Sequence, residues 1–143
     1  WCTQYNTWHT PSSYDGVVTY ESLISVGASA RMLVLLSAAI YTNPPAGSLG
    51  DLLLGFEIVE PGGSTVLGPD ISRAVSIGRG AASDAETAEH PQAQMSRAVV
   101  VTEYTLKANT SYTIRALVNQ SIDSTDPELA GIFNSSSIVV IPF

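Results

Sequence analysis

The sequence predicts an all-β fold, an antiparallel β-sandwich of jelly-roll type with about eight strands. Three observations lead there. From Tyr112 to Asn119 the side chains alternate, with Tyr112, Ile114, Ala116 and Val118 on one face and Thr113, Arg115 and Asn119 on the other, the period of a half-buried strand. Apolar, β-branched runs recur at strand length, and turn residues such as Asn43-Pro44-Pro45 and Pro61-Gly62-Gly63 punctuate them. No helix of ordinary length is needed to account for the chain.

Composition narrows the class of function. A chain of 143 residues that is 45% hydrophobic and 13% charged has apolar material for one domain with its own core. The net charge of −7, from 13 acids against six basic residues, offers no electrostatic footprint for nucleic acid or for an anionic membrane surface. Cys2 is the single cysteine, so no intrachain disulfide can staple the fold. No stretch approaches the ~18 consecutive apolar residues of a spanning helix, so membrane insertion is not expected. The chain opens at Trp1 with neither an initiator Met nor a signal-type region, as expected of a piece of a longer protein.

In chain order, residues 1–16 are polar and aromatic without an apolar period, and read as an irregular lead-in or linker to a domain at 17–143. Residues 17–26 alternate as a strand, and Gly27 to Ala30 turn the chain. Residues 31–41 contain an unbroken apolar run from Met32 to Leu36, which predicts a strand buried on both faces. Residues 51–60 end with Phe56 and Ile58 facing inward, and Gly55 inside that run predicts a bulge or a close approach. Residues 71–77 read as a further strand. The long segment 78–94 has no strand pattern and is expected to be an exposed loop, a natural contact surface.

Residues 95–106 and 112–119 read as the two limbs of a long antiparallel hairpin, joined by Lys107-Ala108-Asn109-Thr110 with Asn109 able to take left-handed backbone. A turn at 121–128, a short strand at 129–133 and an apolar closing strand at 137–143 complete the chain.

The search for chemistry is negative. There is no G-x-S-x-G elbow, phosphate-binding glycine loop, H-E-x-x-H or C-x-x-C, so neither catalytic residues nor a cofactor is assigned. His9 and His90 lie far apart without neighbouring ligands at metal spacing, and read as surface histidines. Asp123, Asp126 and Glu128 cluster but lack the framing of a calcium loop, and read as a solvated turn; no metal is expected. Contact candidates are Arg79, Asp84, Glu86, Glu89 and His90 on the long loop, and Trp1, Tyr5, Trp8 and Tyr14 in the lead-in. Planar aromatics of this kind suit a sugar platform, although packing against the sandwich or an adjoining chain is the preferred reading.

The succession ISVGASARMLVLLSA, TEYTLKANTSYTIRALV and SSSIVVIPF resembles the tumour-necrosis-factor-like jelly roll, as found at the C-terminal ends of bacteriophage fibre, appendage and minor tail proteins. The resemblance spans residues 17–143 and is one of strand and turn pattern, with Asn109 where such domains commonly carry Gly. It implies a non-enzymatic virion module, trimeric, that meets other virion proteins or a host-surface glycan through its loops, with the last strand in the middle of a sheet. The alternative is a carbohydrate-binding module of a larger enzyme or adhesin. Runs apolar on successive residues, at Met32–Leu36, Leu52–Leu54, Val99–Val101 and Ile138–Ile141, give more apolar surface than one sandwich interior uses, so that some of it must be covered by loops, by the lead-in or by other copies of the chain, and assembly with other copies is expected.

Overall fold

A computed structural model describes residues 8, 10, 21–41, 50–79, 93–102, 105–122 and 132–143. Eight strands occupy most of these positions: β1 (Glu21–Ser25), β2 (Met32–Tyr41), β3 (Gly50–Val59), β4 (Thr65–Leu67), β5 (Val75–Arg79), β6 (Ala93–Val101), β7 (Ser111–Ile122) and β8 (Ile132–Pro142). One sheet has the order β1-β7-β3-β4, with β5 also paired to β3, and the other has the order β6-β2-β8. All pairings are antiparallel. The chain changes sheet from β1 to β2, from β2 to β3, and again at each step from β5 to β8, which is the winding of a jelly roll. Among the described residues there is no α-helix.

Alternation sorts each strand into an inner and an outer face. Met32, Val34, Leu36 and Ala38 of β2 meet Leu54, Phe56 and Ile58 of β3 and Tyr112, Ile114 and Val118 of β7 in a single buried cluster. Each large aliphatic or aromatic side chain removed from water there contributes about 1.5 to 3 kcal/mol. One end of the sandwich is tied by backbone bonds between turns: Val26 N–H donates to Thr110 at 3.0 Å and Asn109 N–H to Gly27 at 3.2 Å. The Lys107 N–H donates to the buried Tyr112 hydroxyl at 2.7 Å, so the core aromatic also fixes the loop. Asn109 takes the expected left-handed backbone with φ 54°, and so does Ala30 with φ 50°.

Several expectations are corrected. The limbs at 95–106 and 112–119 do not form a hairpin: β6 pairs with β2, and β7 pairs with β1 and β3 in the opposite sheet. The chain leaves one sheet at Val101 and enters the other at Ser111, a connection long enough to cross the ~10 Å between stacked sheets, and short-range pattern cannot distinguish that from a hairpin turn. Among the described residues β8 pairs with β2 alone, at an edge rather than in the middle of its sheet. It is also one strand from 132 onward rather than two. Ile71–Arg73 is a 3-10 turn, because the Asp70 carboxylate accepts the Ser72 N–H at 2.7 Å and diverts the backbone before β5 begins. Residues 17–20 lie outside the described residues; β1 proper begins at Glu21. The segment 78–94 loses both ends to strands, since β5 runs to Arg79 and β6 starts at Ala93.

Candidate functional site

The paired rows on the outer face of the three-stranded sheet carry no charged side chain among the described residues, and the exposed Arg31 stands at their end. Register places Val100, Leu33 and Ile141 in one row, Ala98, Leu35 and Val139 in the next, and Ser96, Ser37 and Ser137 in the third. Val100, Val139 and Ile141 are 60%, 50% and 44% exposed, while Leu33 and Leu35 between them are half-buried by these neighbours. Phe143, whose N–H donates to the Arg31 carbonyl at 3.2 Å, extends the apolar end. In the serine row the Ser96 hydroxyl donates to the Ser37 hydroxyl at 3.2 Å. Strand spacing and rise make this face roughly 15 Å by 20 Å, several hundred Å² once side chains are included, the size at which exposed apolar patches mark interaction sites. The expectation that β2 is buried on both faces is thus corrected: its inner side is sealed, its outer side half-open.

The outer face of the five-stranded sheet is finished differently. Its middle holds a charged ladder across three strands: Arg115 Nε donates to Glu21 at 2.6 Å and Nη1 to Glu57 at 3.3 Å, and the Thr65 hydroxyl donates to Glu57 at 3.2 Å. The hydrogen bond to Glu57, then that to Glu21, holds the Arg115 pKa above its ordinary value. Beyond the ladder, Leu53, Leu117 and Asn119 point outward by alternation yet are buried. Gly55, between Leu53 and Glu57, lies under the Trp8 indole, so the glycine marks a close approach by a side chain and no register shift with β7 occurs there.

Of the lead-in aromatics, only Trp8 is among the described residues, half-buried against the sandwich; Trp1, Tyr5 and Tyr14 lie outside them. So do Asp84, Glu86, Glu89 and His90, together with Cys2, His9, Asp123, Asp126 and Glu128, while the backbone of Arg79 pairs with Gly50 in the β5–β3 ladder. The structure therefore brings none of the loop candidates into a described site. Among the described residues no three His, Cys, Asp or Glu side chains gather as a metal site, and no helix is long and apolar enough to cross a membrane. The residues that sequence reasoning did not assemble are the serine and alanine positions Ser37, Ser96 and Ala98. Their signal was the outward parity of strands whose partners were unknown. No protein-family model, curated protein or solved structure matches the chain.

Proposed function

We propose that the chain is a non-enzymatic structural module that associates with copies of itself through the outer face of β6-β2-β8. The observation that carries this reading is the uncharged face with Val100, Val139 and Ile141 in the open. On a chain of net charge −7 copies repel one another across charged surfaces, and this face is free of that penalty. The polarity gradient along the strands selects an orientation. With the symmetry axis parallel to the strands, aliphatic row meets aliphatic row and hydroxyl meets hydroxyl; a reversed copy would bury Ser37 and Ser96 against Leu33 and Val100. The sequence resemblance to tumour-necrosis-factor-like domains adds the trimer, and with it a place on a virion fibre, tail or capsid appendage whose loops meet a host surface or a neighbouring subunit.

Light scattering after size exclusion tests the assembly. A trimer is expected for the native chain and a monomer for Val139→Asp; a native monomer sinks the proposal and favours the carbohydrate-binding alternative. Orientation is tested on a Cys2→Ser background. Leu33→Cys should form a disulfide with its own copy, whereas cross-linking only in a mixture of Leu33→Cys and Ser37→Cys chains would show reversed packing.

A further inference from the structure

The buried floor on the opposite face calls for an explanation. Outward-facing strand residues in a two-layer sandwich meet water, yet Leu53 is 3% exposed, Leu117 7% and Asn119 9%, and none of them belongs to the central core cluster. Register puts Leu53 beside Asn119 and Gly55 beside Leu117, so the four form one continuous patch. A glycine inside a strand weakens it and normally has a local reason. Here the reason is visible: a Cβ at Gly55 would lie 2.7 Å from Trp8 Cζ3 and 2.8 Å from Cη2, closer than carbon atoms approach. The missing methyl is the space into which the six-membered edge of the indole fits. In addition, the Asn119 Oδ1 is buried on this floor with no hydrogen-bond partner among the described residues, so the Trp8 N–H does not satisfy it.

We propose that Leu53, Gly55, Leu117 and Asn119 form a binding site for a flat aromatic ring, with Trp8 as its resident ligand. The site fastens Trp8 to the face remote from β6-β2-β8. Trp8 is thereby part of the domain and not of a linker. The ligand class follows from the floor: two leucines offer apolar contact, and the glycine gives room for the edge of a flat ring lying against backbone. Indole matches it through the six-membered edge that Trp8 presents to Gly55.

A double-mutant cycle with a ligand arm tests this on the full chain. Trp8→Ala and Gly55→Ala should each lower the thermal midpoint and speed proteolysis within residues 1–20 by roughly tenfold, as expected of local release. The double variant should be no worse than Trp8→Ala, because without the indole the added methyl clashes with nothing. Added indole should raise the midpoint of Trp8→Ala saturably, and leave the native chain and a Trp8→Ala, Gly55→Val variant unmoved. Additive losses, or a folded Trp8→Ala chain that ignores indole, overturn the proposal. Should Trp8→Ala fail to fold, native-chain fluorescence in a Trp1→Phe background decides: Trp8 emission matching free tryptophan in water overturns it, and shielded emission released by Gly55→Ala upholds it. The oligomeric state is read separately, so failure of this site and failure of the assembly face cannot be confused.

Discussion

On the outer side of β1-β7-β3, Leu53, Val59 and Leu117 are buried beside a ladder of Glu21, Arg115 and Glu57; on the outer side of β6-β2-β8, Val100, Val139 and Ile141 stand in water with no charge among them. Both faces arise from the same alternation, and both contain apolar runs on successive residues. The difference lies in the third layer. Trp8 rests on the first face at Gly55, and no described residue of the chain covers the second. An apolar outer position is therefore a statement about what will cover it, a part of the chain's own length in one case and, on our proposal, another copy in the other.

Placing the same charge on each face is the harshest way to break this comparison. Leu53→Asp should cost about 3 to 5 kcal/mol, since it discards buried apolar surface and strands an unpaired carboxylate under cover. Val139→Asp should change the stability of an isolated copy by no more than about 0.5 kcal/mol, because its carboxylate is solvated, while abolishing association. Denaturant titration of both variants at low protein concentration checks this. Equal losses at the two positions would mean that the faces do not differ.

Ile114→Ala acts on what the faces share. The side chain is 2% exposed and packs between the sheets, so its truncation should cost about 2 to 5 kcal/mol through lost transfer and a residual cavity. The folded fraction of such a variant should keep both the Leu33→Cys cross-link and the protection of residues 1–20 from protease. A variant that folds but loses one of them alone would show that the face concerned depends on the core.

The inner half of the fold was legible in sequence because alternation records it: Tyr112, Ile114, Phe56 and Ile58 are inward as their periods predict. The Asn109 turn was legible for the same local reason, a left-handed position filled by a residue that tolerates it. Strand partners were not. A strand, a polar connector and a second strand describe a hairpin and an arch equally, and only contacts distant in sequence, such as Val101 with Met32 or Arg115 with Glu57, decide between them. The candidate face was half-legible. Its runs of Val and Ile were conspicuous, yet whether they were covered depended on residues such as Trp8, whose docking position carries no pattern of its own. Gly55 was the one local trace of that docking.

The mildest probe of the comparison is salt, and it should move the two faces in opposite directions. Arg115 stays protonated wherever the chain folds, because Glu57 and Glu21 raise its pKa further, so its side of the ladder cannot be titrated away. It can be screened. The Arg115 side chain is 38% exposed and Glu21 56%, and at 1 M ionic strength the Debye length falls to about 3 Å, so the attraction across β1, β7 and β3 should weaken. The uncharged rows of β6-β2-β8 have no attraction to screen, and sulfate salts strengthen apolar burial by exclusion from the surface. Raising sodium sulfate should therefore tighten self-association in sedimentation experiments. A Val139→Asp chain, kept monomeric, should gain less stability from the same salt than an Arg115→Met, Val139→Asp chain whose ladder is already gone. Association that weakens as sulfate rises would point to a charged interface elsewhere on the sandwich, and the uncharged face would lose its claim.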